Sequence, residues 1–327
     1  MPASERASLT ASPWPDDDLL SSCLRPGGVW RAGVLHLPLH RPSPSLLANA
    51  HYFGVEPWAE QYLRHCHRDR LFHERWRAVL APLGGSWDGL VVVDVGCGPG
   101  NVAAVLGGRP RLLLGVDVAE ASLRLAQGFG YVPILADAQD LPLHSGIADL
   151  VVLNATLHHC DDMARVLQEA ARLLKPGGWL ISDNDHQLQA TDFRGVARAL
   201  FEARLPLNHL LRRGPHADRF QQLCMLAGEV HAHPPGRGVR AELFPTTLEP
   251  LGLDVWVFSH NQTSGAAVLD GEMGPKPLAW QLLQRLSGMD PSAAAAALTL
   301  MCVAQRPPLA STSIAAPSAG PQLDAEV

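Results

Sequence analysis

Three acids in this sequence lie in or close apolar runs, and three glycines follow the first of them at alternate positions. Val91-Val92-Val93-Asp94-Val95 leads into Gly96-Cys97-Gly98-Pro99-Gly100-Asn101. Leu112-Leu113-Leu114-Gly115-Val116 ends in Asp117, and Val132-Pro133-Ile134-Leu135-Ala136 ends in Asp137. Glycine admits positive φ and lets a ligand approach the backbone without meeting a Cβ. A carboxylate at the tip of the next strand can accept hydrogen bonds from both hydroxyls of a ribose, so this set suits an adenosyl or nicotinamide ligand. The spacing separates the two, because a dinucleotide fingerprint needs glycine at 101 and the chain has Asn101. A second set of groups can move protons. His158 and His159 follow one apolar run, His186 a second and His260 a third, with Asn154, Asp183, Asn184, Asp185 and Asn261 beside them. Histidine titrates near neutral pH and suits removal of a proton from an acceptor.

Such groups meet only if a sheet brings the ends of several strands together. Continuous β-branched runs read as strands buried on both faces of a parallel sheet. Five runs, at 91–95, 111–117, 131–135, 149–154 and 179–182, are separated by helical stretches, the first of them capped by Asn101. Lys175-Pro176-Gly177-Gly178 stops the helix at 161–174 and turns the chain into the fifth strand. Two later strands, 253–258 and 298–304, complete the set, with a helix near 278–287 between them. The fold class expected is α/β, a doubly wound and mostly parallel sheet of seven strands. Apolar residues from Trp58 to Val79 recur at helical intervals, giving an N-terminal helical cover. Residues 1–50 read as a flexible or irregular lead-in, with a small hairpin or irregular pieces at 27–50. Residues 51–307 form one domain, with a helical cap at 183–250, and 308–327 is a disordered tail.

Gly96-x-Gly98-x-Gly100 with Asp94 before it resembles the first motif of class I S-adenosylmethionine-dependent methyltransferases. Ala136-Asp137-Ala138 resembles the third motif, and Lys-Pro-Gly-Gly at 175–178 is a further hallmark. The continuation Asn154-Ala155-Thr156-Leu157-His158-His159 is similar to the small-molecule branch that includes ubiquinone and menaquinone biosynthesis enzymes. The resemblance implies S-adenosylmethionine as cofactor, held by Asp94, Gly96, Cys97, Gly98, Gly100, Asp117, Val118, Asp137, Ala138 and Asn154. It implies an acceptor pocket drawing on Tyr52, Phe53, His159, Asp183 and Asn261, with His158, His186 and His260 as candidate bases. The expected reaction is in-line methyl transfer to an oxygen, carbon or nitrogen of a small molecule. Transfer to a macromolecule, RNA or protein, is the alternative.

The bulk properties narrow the partners. A net charge of −6 over 327 residues gives no general attraction to nucleic acid. The arginines at 64, 68, 70, 75 and 77 read as the solvated face of a helix. Asn154 is followed by Ala155-Thr156-Leu157 rather than Pro-Pro-aromatic, and no Pro-Cys dipeptide occurs, so neither usual form of base methylation is indicated. Six cysteines with no C-x-x-C pair fit a reducing cytoplasm, and neither a secretory leader nor a membrane-spanning run is visible. His65, Cys66, His67 and His73 do not share one helical face, since 65 and 67 point about 200° apart, so no metal site is expected. Asp183, Asn184 and Asn154 would offer hard oxygen ligands to magnesium, but no other feature of a metal-dependent enzyme accompanies them.

Overall fold

The computed structural model describes residues 17–39, 42–54, 69–210 and 238–309, together with 59, 60, 63, 64 and 227. Nine strands are present among them: β1 (Val29–Arg31), β2 (Val34–His36), β3 (Val91–Val95), β4 (Leu112–Asp117), β5 (Val132–Leu135), β6 (Ala148–Asn154), β7 (Leu174–His186), β8 (Asp254–His260) and β9 (Thr299–Gln305). They form one sheet in the order β1-β2-β5-β4-β3-β6-β7-β9-β8. Strands β3 to β7 pair in parallel, and β9 lies antiparallel between β7 and β8. Chain order reverses on either side of β3, so the carboxyl ends of β3 and β6 flank the crevice where such sheets hold ligands.

Seven of these strands are the expected ones, and the other two are a hairpin at the edge. Ala32 and Gly33 both have positive φ, +48° and +80°, which suits a two-residue hairpin turn. The turn returns β2 alongside β5, where Leu35 faces Ile134. Val34 and Leu35 are buried, and so are Leu20 and Cys23 of helix α1 (Asp17–Cys23). Apolar burial therefore ties the lead-in to the sheet, and the boundary expected at 50 falls inside helix α2 (Pro44–Phe53).

Alternate residues of β3 enter two cores. Val91, Val93 and Val95 pack with Val166, Leu167 and Ala170 of α6 (Met163–Leu173) and with Phe244 and Leu248 of α8 (Leu243–Leu248). Val92 faces the other layer, with Phe72, Trp76 and Val79 of α3 (Arg70–Val79), Val102 of α4 (Asn101–Leu106) and Leu123 of α5 (Glu120–Ala126). Helices α7 (Gly195–Leu210) and α9 (Leu278–Leu286) meet through Phe193, Phe201 and Trp280 at one end of the sheet.

Several boundaries differ from the sequence reading. The stretch expected as one helix from 57 to 83 is interrupted at Asp69, which is extended. Its carboxylate accepts hydrogen bonds from the N–H groups of Leu71 and Phe72 and starts α3 afresh. Gly100, not Asn101, is the cap of α4. Strand β7 begins directly after α6, so Lys175-Pro176-Gly177-Gly178 lies within it. The expectations for 1–16, for His65-Cys66-His67, for a helix at 220–226 and for the tail from 310 fall outside the described residues. No described helix is long and apolar enough to cross a membrane.

Candidate functional site

A cavity of about 460 Å³ lies at the carboxyl ends of the parallel strands. Its first half is backbone and acid. Gly96 has φ +71°, and a Cβ there would stand 2.5 Å from the Thr156 side chain, so only glycine fits. Gly98 has φ +52°, and a Cβ there would meet nothing nearer than the Asn101 amide at 3.9 Å, so its backbone faces open space. Asp117 holds the loop in place, since Oδ2 accepts from Gly98 N–H and Oδ1 from Ala119 N–H, both at 2.8 Å. Burial raises its carboxyl above the usual range against those backbone hydrogen bonds. Val118, Asp137, Ala138 and Asn154 complete this half.

The second half is a set of rings. His158, His159 and His186 all line the cavity, with ring centroids 4.1 Å apart for 158 and 159 and 4.9 Å for 158 and 186. Phe53 meets His159 edge-on at 5.3 Å, and Tyr52 meets Phe53 at 5.0 Å. Helix α2 carries these two aromatics and is anchored at both ends. The hydroxyls of Ser43 and Ser45 donate to Asp161, Asn49 donates to the His159 carbonyl, and Ser122 donates to the Phe53 carbonyl. The Nδ1 of His158 lies 2.9 Å from Asp185 Oδ1. Three wall residues, Ala155, Asn184 and Gln262, are non-glycines with φ of +55°, +64° and +62°. Left-handed backbone of this kind concentrates at functional sites, where the surroundings enforce it.

Some expected contacts lie behind the wall. Asp94 is wholly buried, accepts a hydrogen bond from the Tyr131 hydroxyl at 2.6 Å and is pushed up to about 7 by burial. Cys97 turns inward against Gly115, and Gly100 packs on Phe129, Tyr131 and Ala126 with φ +93°, where a Cβ would be tight and strained. On the acceptor side the corrections are larger. His260 is 0% exposed and its Nε2 lies 2.8 Å from Asp183 Oδ1, so it cannot meet a substrate. Asp183 is equally buried and receives Arg75 Nε at 2.8 Å. Burial alone would push its carboxyl up, and Arg75 and His260 outweigh that and hold it below the usual range. It is closed off from the cavity. The Asn261 amide is spent on the Gly274 carbonyl and the Leu298 N–H.

Arg75 is the principal residue the sequence reading misplaced. It is 1% exposed, lines the cavity, and also donates to the Ser264 carbonyl and to Asn184 Oδ1. Arg64 and Arg70 are solvated as expected. The signal was available, because position 75 falls between Phe72 and Val79 on the apolar face of α3. Asp69, Phe72, Asn49 and Asp161 also line the cavity without having been singled out.

Residues 93–182 match the family described as "Methyltransferase domain". The chain carries a class I S-adenosylmethionine-dependent methyltransferase domain. A ubiquinone biosynthesis O-methyltransferase of Thiobacillus denitrificans is 36% identical over 113 residues, covering 32% of this chain and 47% of that protein. Another, of Bordetella pertussis, is 30% identical over 166 residues, covering 46% and 66%. A tRNA (carboxymethyluridine(34)-5-O)-methyltransferase of Arabidopsis thaliana is 31% identical over 111 residues, covering 33% and 27%. The chain spans about half the length of the first curated relatives it matches. Among solved structures, an S-adenosylmethionine-dependent methyltransferase from Mesorhizobium loti is similar at TM-score 0.43 and 21% identity, covering 71% of this chain and 97% of that one.

The methyltransferase domain's own geometry fits S-adenosylmethionine. Each oxygen of Asp117 uses one lone pair on backbone and keeps another for a ribose hydroxyl. Asn101 also lines the cavity, and its buried Oδ1 has no hydrogen-bond partner among the described residues.

Proposed function

We propose that the protein transfers the methyl group of S-adenosylmethionine to a hydroxyl of a small aromatic acceptor, with His158 as the base. The observation that carries this reading is that one cavity joins the Gly96–Gly98 loop and Asp117 to the ring cluster of His158, His159, His186 and Phe53. S-adenosylmethionine supplies a sulfonium methyl open to in-line attack. The chain's residues must then hold the acceptor oxygen at about 3 Å along that line and take its proton. The edge-on rings of Tyr52 and Phe53 suit a flat acceptor held beside His159. With the Nδ1 proton directed at Asp185, Nε2 is the His158 nitrogen that can accept.

Charge supports a small acceptor over RNA. Asp69, Asp117, Asp137 and Asp161 line the cavity, and its one described arginine, Arg75, is neutralised by Asp183. An acidic mouth of this kind repels a phosphate backbone and favours the cationic sulfonium. The ubiquinone relatives are O-methyltransferases, which supports oxygen as the acceptor atom.

Calorimetry with S-adenosylmethionine, S-adenosylhomocysteine and NAD is the first test, with binding of both adenosyl ligands and none of NAD expected. Methyl transfer to a panel of phenols, and not to tRNA transcripts, is expected next. His158→Ala should lower kcat by about 10²–10⁴-fold with cofactor affinity retained. Transfer to tRNA alone, or near-normal turnover of His158→Ala on phenols, would refute the corresponding part.

A further inference from the structure

Strand β7 ends with two acids separated by one residue, and the structure sends them to different bases. Asp183 goes to Arg75 and His260. Asp185 goes to His158, and it does so twice, since Oδ1 takes the ring Nδ1 at 2.9 Å and the backbone N–H of the same residue at 3.2 Å. Its Oδ2 accepts from the Ser182 hydroxyl at 3.1 Å. Asp185 is fully buried and does not reach the cavity wall, whereas His158 does.

The backbone explains the aim. In a regular strand, residues 182 and 185 would point to opposite faces. The pairing of β7 with β9 shifts register between Ser182 and Asp185, and Asn184 inside that shift has φ +64°. A bulge of this kind re-aims side chains beside sites. Here it turns the Asp185 carboxylate back against Ser182 and under the His158 ring.

We infer that Asp185 is the positioning residue for His158, a buried carboxylate braced by Ser182 that fixes the tautomer and tilt of the ring from behind. The inference rests on the methyl-transfer reading for its consequence and on these contacts for its geometry. A carboxylate that merely capped a turn would bind the backbone N–H alone. Bonding the ring as well keeps the proton on Nδ1 and leaves Nε2 as the accepting atom. In the proposed reaction the acceptor O–H proton moves to Nε2, the oxygen forms a bond to the methyl carbon, and the carbon–sulfur bond breaks, with its electron pair leaving on sulfur. The imidazolium then returns its proton to water, and the negative Asp185 stabilises it while it exists.

Other charged and titratable groups face this pair. His159 and His186 flank the His158 ring, and Cys160 adjoins Asp185, with Asp117, Asp137 and Asp161 beyond it. Burial pushes the Asp185 carboxyl up to about 6, against the His158 N–H and Ser182. Its hold on the ring therefore weakens as pH falls through that value.

The test is a nitrogen-15 NMR titration of the histidine rings in the ligand-free protein, alongside kcat against pH on the phenol acceptor. Asp185→Asn should move His158 toward the Nε2–H tautomer, shift its titration to lower pH and cut kcat at least tenfold, with S-adenosylmethionine affinity unchanged. Ser182→Ala should act in the same direction by a smaller factor, and it carries the test if Asp185→Asn does not fold. Because the NMR readout needs no substrate, a shifted ring in a protein that methylates no phenol would uphold the positioning role and reject the function. An unchanged tautomer and titration of His158 in a folded variant would overturn the positioning role.

Discussion

Asp117 and Asp183 both sit toward the carboxyl ends of inner strands, one lining the cavity and one behind its wall, and have opposite fates. Among the described residues Asp117 accepts hydrogen bonds from backbone N–H groups alone, and it lines the cavity. Asp183 lies behind the wall with a guanidinium on one oxygen and an imidazole on the other. A strand-tip acid thus lines the cavity or ties the fold according to whether a cation packs against it. That cation comes from far along the chain. The cofactor half is built from backbone adjacent in sequence. The acceptor half depends on side chains brought together by tertiary packing.

The largest effect is expected where that tie is cut. Arg75→Ala leaves Asp183 buried with His260 and the Asn184 N–H but without its guanidinium, and removing one partner of a buried pair costs about 3–5 kcal/mol. Denaturant unfolding at pH 7 measures this. The sign with pH is fixed by the depressed Asp183 carboxyl. Its contribution is present above the unfolded value near 4 and is lost as pH falls through the folded one. The deficit of the variant should therefore hold down to about pH 4 and shrink below it. Arg75→Lys should rescue little, since one ammonium cannot reach Asp183, Asn184 and the Ser264 carbonyl together. Wild-type stability in Arg75→Ala would show that the tie is not structural and dissolve the contrast with Asp117.

Asp94 sharpens the comparison from a third direction, as a buried strand acid with no cation at all. Its only described hydrogen bond is from Tyr131, and its carboxyl rises to about 7. The sign is opposite to that of Asp183. A raised folded value gives stability fully present below about 4 and lost as pH climbs through 7. Asp94→Asn keeps the size and an acceptor for Tyr131 while removing the titration. Wild type should lose stability relative to the variant across pH 4 to 7, by at most about 1.4 kcal/mol per pH unit. Parallel stability curves would mean that Asp94 stays ionised despite its burial.

The same contrast explains what the sequence made legible. Strands β3 to β9 and the Gly96–Gly98 loop follow from local patterns, a β-branched run or a glycine at a fixed step, and each except β7, which runs four or five residues past its expected ends, lies within a residue or two of its expected place. Asp117 and Asp137 were readable because the strand tip alone determines where they stand. His260 and Asn261 were not, although they also follow a strand. Their surroundings are set by Thr299, Gly274 and Leu298, which no local pattern links to them. The bulge that turns Asp185 toward His158 is likewise a property of the pairing between β7 and β9.

The smallest expected effect falls on the cofactor half and concerns Asp117 itself. Its carboxylate holds the loop through Gly98 and Ala119, and in the proposed function it has a second task, receiving ribose hydroxyls with the lone pairs left over. Asp117→Ala removes both. A charge-assisted hydrogen bond contributes about 1.5–3 kcal/mol, and water recovers part of that, so S-adenosylmethionine affinity should fall at least tenfold, about 1.4 kcal/mol. Asp117→Asn separates the tasks. Its single carbonyl oxygen can serve Gly98 N–H or Ala119 N–H, and its amide must face the other donor, so the loop loosens even before ligand arrives. Affinity should then fall in both variants, with a lowered ligand-free melting temperature accompanying the loss. Calorimetry with S-adenosylhomocysteine beside thermal unfolding reads the two quantities independently. An unchanged dissociation constant in Asp117→Ala would remove this acid from the ligand site and make it, like Asp183, a tie within the fold.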